Sequence, residues 1–552
     1  MRSIITFLCL LLTASSQAQT FSVLHRFARD GVDGEAASTT LTCSSNMLIG
    51  ITARGGINGG GILYKVTTNG SSYQILHQFA PQGNNWFGGD LTADGSGPVG
   101  GLAIDGETIY GATQTGGGGG SGSIYKVKTD GSSYGILHSF LYAHEGSYPG
   151  SGLILEDGLL YGSCMFAGMD DRPSFPYLSA AGIHYGIHTN GSGYHIRGTF
   201  QKYPPNPVVI PAYDLVALPT NAPLSTLCIG VSLDNGGYGP EMKWINGVDF
   251  FGYGGAPYGA LYGALYGANG AGGFFHYHYF AGGADGAYPS GAPLMDTNQG
   301  NYVLYGATTG DGTNTSGTLY SFAMGSHEFK VLHTFMNQAP PGDDYANGFI
   351  PVGRPALIGD TLYGVTRKGG AVGVGNSGSG TIYQIKTDGT GFKVLHTFDA
   401  LHDGGNPISG LLAVGTTLYG TTTTFGSGDN AIPGNGTVFK LDLPAPPPPP
   451  VPPSLILTNV FINTDQIIRI TNSTTQQVFT FTNHISVPGL AVTWKVNDGM
   501  SHTLLQSANP ALPVGSWVPV EPNWTNQMDV GRVLKPNPVD PPAFFRLKSS
   551  PL

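Results

Sequence analysis

Between residues 109 and 140 the chain reads IYGATQTGGGGGSGSIYKVKTDGSSYGILHSF. Three short phrases stand out in it: Ile109-Tyr110-Gly111-Ala112-Thr113, Gly122-Ser123-Ile124-Tyr125 and Ile136-Leu137-His138-Ser139-Phe140. Each is β-branched or aromatic in character and bounded by Gly, Asn or Asp, which is how short strands read. Asp130-Gly131, between the second and third, favours positive φ and predicts a tight type I′ hairpin.

All three phrases recur. The last returns as Val23 to Phe27, Ile75 to Phe79, Val331 to Phe335 and Val394 to Phe398, with weaker copies at Ile196 to Phe200 and His276 to Phe280. Its third positions are 25, 77, 138, 198, 278, 333 and 396, so the period runs from 52 to 80 residues, the range of propeller blades rather than of shorter solenoid turns. The first phrase returns at Leu48 to Thr52, Leu160 to Gly162, Leu227 to Gly230, Leu304 to Thr308, Leu362 to Thr366 and Leu418 to Thr422. The second returns at Gly61 to Tyr64, Gly317 to Tyr320, Gly380 to Tyr383 and Gly436 to Phe439, with degenerate forms near Gly182 and Gly259. Further hairpin turns fall at Asn69-Gly70, Asn190-Gly191 and Asp388-Gly389. A preceding strand, such as Ser151 to Leu155 or Leu411 to Val414, makes four antiparallel strands per unit, and such units in a ring form a β-propeller. The expected fold is all-β: a seven-bladed propeller over residues 19–443. The order of the phrases also predicts closure. Phe21 to Phe27 is an outer strand without its own blade and Gly436 to Leu441 a third strand without an outer partner, so pairing them completes the last blade and removes an open edge.

Composition agrees. The 552 residues include Gly 87 and Pro 39, while charged residues make up only 11%, against about 25% in an ordinary soluble domain. That excludes coiled coils, helical bundles and charge-rich disordered chains. A net charge of -10 with 24 Lys and Arg argues against a nucleic-acid partner. Arg2, the apolar run Ile4 to Leu12 and Ser16-Gln17-Ala18 form the three-part pattern of a secretory signal over residues 1–18. No apolar run is long enough for a membrane-spanning helix. The expected location is therefore secreted or at the cell surface, as a monomer. Cys9 falls in the leader. The odd set Cys43, Cys164 and Cys228 reads as small buried residues, with a Cys164 to Cys228 bridge as the alternative.

The paired LYGxT and VLHxF phrases with Gly-rich connectors resemble the GloVer tandem repeat of secreted bacterial proteins with variable C-terminal anchors, over roughly residues 20 to 443. Units three and four have lost parts of each phrase. The resemblance implies export and surface association, and brings no catalytic residues with it. Beyond the repeats, the proline-rich residues 444–453 form a semi-rigid spacer. Strand-length runs at Leu455 to Ile462, Gln466 to Thr471, Gln477 to Thr482 and Leu490 to Val496 give residues 454–552 as a small β-sandwich-like module. A role in retention, sorting or glycan binding suits such a module.

Motifs that suggest chemistry have simpler readings. His25, His77, His138, His333 and His396 occupy equivalent places on different blades, which holds them apart and makes them hydrogen-bonding partners within the packing rather than ligands of one metal. Gly131-Ser132-Ser133-Tyr134-Gly135 matches a nucleophile elbow in letters only, because it is a hairpin turn. No metal, cofactor or catalytic residue is expected. Variation instead concentrates on the face carrying the connections between blades and those between second and third strands. Phe166 to Ala180 brings Asp170 and Asp171, while Asn235 to Tyr258 brings Tyr238, Glu241, Trp244, Asp249 and Tyr253. Trp86, Tyr142, Tyr148 and Tyr288 join them from the connections between blades. Aromatic side chains with few carboxylates suit an extracellular glycan or a protein segment. The bland alternative is tolerated turn-rich insertion. The enzymatic alternative is a glycan hydrolase or lyase using acids among Asp170, Asp171, Glu241, Asp249 and Asp285.

Overall fold

The computed structural model describes residues 19–37, 39–81, 94–141, 145–166, 181–200, 274–297, 302–310, 317–336, 346–370, 378–424 and 435–444, together with isolated strands between 216 and 269 and between 467 and 551. The chain divides into two compact units, Met1–Pro444 and Ala445–Leu552.

The first unit is a β-propeller. Its first blade runs from an inner strand in two pieces, Gly34–Ala37 and Thr42–Ser44, through Met47–Gly55 and Ile62–Thr67 to the outer strand Tyr73–Gln78. The second comprises Gly95–Asp105, Thr108–Gly116, Ser123–Lys128 and Gly135–Ser139, and the third runs from Ser147–Pro149 to His195–Phe200. Two more span Ala287–Asp296 to Glu328–Thr334 and Phe349–Ile358 to Lys393–Thr397. In the closing blade Thr20–Arg26 pairs antiparallel with Thr437–Asp442, so the N-terminal strand supplies the outer edge as the phrase order predicts. Among the described residues these are six blades. A further four-stranded antiparallel sheet, Val216–Ala217, Thr226–Ser232, Ala264–Asn269 and Phe274–Tyr279, follows the third of them in the chain.

Register explains the phrases. The Gly of LYGxT faces the aromatic of the next strand: Gly50↔Tyr64, Gly111↔Tyr125, Gly162↔Tyr185, Gly306↔Tyr320, Gly364↔Tyr383 and Gly420↔Phe439. The ring occupies the space over that glycine, and a Cβ on Gly111 would stand 2.3 Å from the Tyr125 hydroxyl. In the outer strands the pairing slips by one residue between Val23 and His25, Ile75 and His77, and Val394 and His396, leaving the Leu of VLHxF as a bulge. The hairpin of the following blade then packs on that leucine, Gly70 against Leu24 and Gly131 against Leu76.

Two sequence readings change. The Asn-Gly and Asp-Gly turns are not type I′: among their central residues only the glycines have positive φ, +75° at Gly70 and +89° at Gly131. Gly70 N–H donates to Thr67 O at 2.8 Å, which is a type I turn followed by a left-handed glycine. In the fourth unit Ala264 to Tyr266, within the strand Ala264–Asn269, takes the phrase's place, while the copy expected near Gly259 lies outside the described residues.

The second unit is antiparallel throughout its described strands. Ile467–Thr471 pairs with Val478–Thr482, Leu490–Val492 with Arg532–Leu534, and Met500–Ser507 with both Val518–Pro519 and Phe544–Pro551.

Candidate functional site

The face with the between-blade connections is built on two repeated devices. The first uses the VLHxF histidine. His25 Nε2 lies 2.9 Å from Asp33 Oδ2, and Tyr73, on the neighbouring blade, stacks on the imidazole at 3.5 Å and 8° while its hydroxyl donates to Asp33 Oδ1 at 2.5 Å. The N–H groups of Ala28 and Gly34 complete the carboxylate's partners. Equivalent stations join His77 to Asp94 at 3.1 Å beneath Tyr134, and His278 to Asp285 at 3.2 Å beneath Phe329. His396 meets Asp403 at 2.9 Å beneath Phe21. His138 stands 3.5 Å from Glu145, beyond hydrogen-bonding distance, and Tyr194 stacks on it.

Burial works to raise the Asp33 and Asp94 carboxyls, but hydrogen bonds from histidine, tyrosine and backbone outweigh it and hold both below the usual range. Burial lowers His138 and His278 against the opposing pull of their carboxylates, and lowers His333. His25, His77, His278 and His396 are packing and hydrogen-bonding partners, His138 and His333 are held by ring stacking, and all are half-buried rather than fully enclosed. Asp285, counted among possible catalytic acids, is engaged in such a station and also accepts from Ala281 N–H at 3.2 Å. Among the described residues no group of three His, Cys, Asp or Glu side chains converges as a metal site. Cys164 is a free thiol, which removes the Cys164 to Cys228 bridge, and burial pushes its pKa well up.

The second device follows the station acid in sequence. It is a fourth phrase, acid-Gly-x-x-Pro, at Asp94 to Pro98, Glu145 to Pro149, Asp285 to Pro289 and Asp403 to Pro407, with Asp33 to Ala37 and Asn347 to Pro351 as variants. The residue before the proline is left-handed in every case: Ala36 at φ 55°, Gly97 at 61°, Tyr148 at 55°, Tyr288 at 58°, Ile350 at 58° and Asn406 at 57°. Its N–H reaches back to the preceding blade, Gly97 to Gly60 O at 2.9 Å, Tyr148 to Ser121 O at 2.9 Å and Asn406 to Ser379 O at 2.8 Å. The phrase's glycine is needed because the buried Thr of LYGxT fills its Cβ space, at 2.2 Å from Gly95, Gly286 and Gly348. Connections between second and third strands meet these segments, Gly56 N–H donating to Asp33 O and Gly117 N–H to Asp94 O, both at 2.8 Å. Both kinds of connection thus share one face.

Of the predicted site residues, Tyr148 and Tyr288 occupy equivalent left-handed stations on this face, both half-buried, with Tyr148 edge-on to Phe166 at 5.7 Å. Trp244 and Asp249 are directly opposed in a two-stranded hairpin, Lys243–Ile245 with Val248–Phe250. Trp86, Tyr142, Asp170, Asp171, Tyr238, Glu241 and Tyr253 lie outside the described residues. Sequence reasoning missed Ile350, Asn406 and Arg367, whose Nε donates to Asn406 Oδ1 at 2.8 Å. The recurring Gly-x-x-Pro spacing was the available signal.

Residues 10–172 match the family described as the Gloeobacter/Verrucomicrobia repeat, so this stretch of the chain carries that repeat. A search of curated proteins gave no match. Similar solved structures include an oligogalacturonate lyase from Vibrio parahaemolyticus, with 9% identity, 77% of this chain and 97% of that one covered, and a TM-score of 0.42. A puromycin-hydrolyzing peptidase from Mycobacterium tuberculosis has 12% identity, 83% and 56% coverage and a TM-score of 0.42. TolB from Acinetobacter baumannii has 10% identity, 65% and 64% coverage and a TM-score of 0.33.

Proposed function

We propose that the chain is an exported, monomeric seven-bladed propeller, residues 19–443, that binds an extracellular glycan or protein segment through the face described above. In this reading residues 1–18 are a signal peptide, residues 444–453 a spacer, and residues 454–552 a module for retention or sorting. The sheet of Val216–Tyr279 is the fourth blade. It shares the Gly230↔Tyr266 register of the others and the same slip before His278.

The observation that carries the binding reading is the occupancy of the left-handed stations. The N–H contact to the preceding blade is made equally well by Gly97, without strain. A non-glycine residue there costs about 1–2 kcal/mol, and Ile350 is β-branched, which makes positive φ a true outlier. Asn406 and Ile350 offset that cost with contacts inside the fold, Asn406 to Arg367 and Thr423 and Ile350 to the blade cores, while Tyr148 and Tyr288 set half-buried rings at equivalent places on the connection face, which supports a use of those rings in binding.

An array of neutral and acidic oligosaccharides and of peptides, probed with the exported chain and followed by mass spectrometry of every hit, tests the reading. Binding to intact ligand that is lost in Tyr148→Gly/Tyr288→Gly, or in Trp244→Ala/Tyr253→Ala, with unfolding midpoints little changed, is the expected result. Cleaved ligand would transfer the face to the hydrolase or lyase alternative. No binding to any probe would sink the proposal.

A further inference from the structure

We propose a neutral-saccharide subsite between the second and third blades, built from Gln114, Ser147 and Tyr148. It rests on the binding reading above and adds a ligand class and a place.

Gln114 follows the buried Thr113 at the end of the second strand of its blade. It is 1% exposed and its Nε2 has no hydrogen-bond partner. A buried amide donor without an acceptor carries its full desolvation penalty, so its retention needs a reason. One further buried hydroxyl in this sector is in the same condition, Ser147 Oγ. It directly precedes the left-handed station Tyr148.

The repeat shows where Gln114 is directed. Its counterparts are Ala53, Met165, Thr309, Arg367 and Thr423. Arg367, the other long polar one, crosses to the next blade and meets the Asn406 side chain at the left-handed station, with its Nε 2.8 Å from Oδ1. The station facing Gln114 in the same relation is Tyr148. The backbones of the two segments also approach each other: a Cβ on Gly122 would stand 2.5 Å from Pro149 Cδ and 3.0 Å from the Gln114 backbone carbonyl oxygen. Where Arg367 is paired with Asn406, the residues at the corresponding places here are Gln114 and Tyr148.

Two uncharged hydrogen-bonding groups beside a half-buried tyrosine define the ligand. Adjacent hydroxyls that both donate and accept would satisfy the amide and the serine, and a sugar's apolar C–H face would lie on the ring. Glu145, two residues before Ser147, keeps its Oε2 buried without a hydrogen-bond partner, a carboxylate that would repel an acidic sugar. The groups present therefore favour a neutral sugar over an acidic one. Because Gln114 is 1% exposed in the free protein, binding requires side chains around it to move.

The test is calorimetric titration of the full exported chain with neutral gluco-, xylo-, manno- and galacto-hexasaccharides, beside a peptide panel. At least one hexasaccharide should bind. Gln114→Leu should weaken it tenfold or more with an unfolding midpoint equal to or above that of the parent, and Ser147→Ala should weaken it two- to fivefold. Unchanged affinity in both variants would overturn the subsite while leaving the face a binding surface. Peptide binding without saccharide binding would overturn the sugar assignment alone. Binding to neither panel would remove both.

Discussion

The ring of Phe21 stacks on the imidazole of His396, with centroids 3.8 Å apart and planes within 4°. Phe21 thereby takes the place that Tyr73, Tyr134 and Tyr194 hold over His25, His77 and His138, and it also meets Phe439 at 5.4 Å. The strand that closes the ring thus brings the aromatic that completes the last histidine station. Gln19 adds a side-chain hydrogen bond to the Leu395 carbonyl.

Phe21→Ala should therefore cost about 2 kcal/mol, below the 3–5 typical of a fully buried phenylalanine because this ring is half-buried. Phe21→Tyr should be neutral or stabilising by up to about 1 kcal/mol, since a hydroxyl there would meet Asp403 as the Tyr73 hydroxyl meets Asp33. Urea unfolding of both variants checks this. A Phe21→Ala midpoint equal to that of the parent would mean that the closing strand contributes little.

Acid should loosen the blades in two steps. His138, His278 and His333 have folded pKa values lowered from 6.5, chiefly by burial. Above 6.5 they are neutral folded or unfolded; as pH falls below it the unfolded chain takes up protons first, so stability is lost. Asp33 and Asp94 lie below 3.8 in the fold, so their contribution is present above that value and lost as pH falls through the lower folded one. Denaturation midpoints from pH 8 to pH 3 should fall in both ranges. His333→Phe should flatten the first step and Asp94→Asn the second. A midpoint that stays level from pH 7 to pH 5 in the parent would contradict the histidine assignment.

Much of this architecture is legible in the chain. The period, the three strand phrases and the closure follow from apolar phrases that repeat almost letter for letter. The acid-Gly-x-x-Pro phrase escaped because its members vary: Glu145 and Asn347 stand for Asp, and Ala37 for Pro. The turn type was misread because Asn-Gly is compatible with both hairpin forms, and only the backbone shows that the glycine alone is left-handed. The strand slip in unit four arose because Ala-Leu-Tyr-Gly occurs at both 260–263 and 264–267. Gln114 carried no signal, because its position holds Ala, Met, Thr or Arg in other blades and only burial without a partner marks it.

The same comparison among blades decides what a buried hydroxyl contributes. Tyr64, Tyr125 and Tyr185 are fully buried and their hydroxyls have no partner, while the closing blade places Phe439 at this position with the same register to its glycine. The ring, not the hydroxyl, fills the space over the LYGxT glycine. Removing the hydroxyl in Tyr125→Phe takes away an unpaired polar atom and leaves the packing, so stability should hold or rise by up to about 1 kcal/mol. Gly111→Ala attacks the packing itself, setting a methyl 2.3 Å from the Tyr125 hydroxyl and 2.9 Å from a ring carbon. It should cost about 1–3 kcal/mol, as overpacked cores do. The combined Gly111→Ala/Tyr125→Phe variant should recover part of that loss, because one of the close atoms is gone. Thermal unfolding of the three variants reads the order directly, and a Tyr125→Phe protein less stable than its parent would show that the hydroxyl is held by a partner after all.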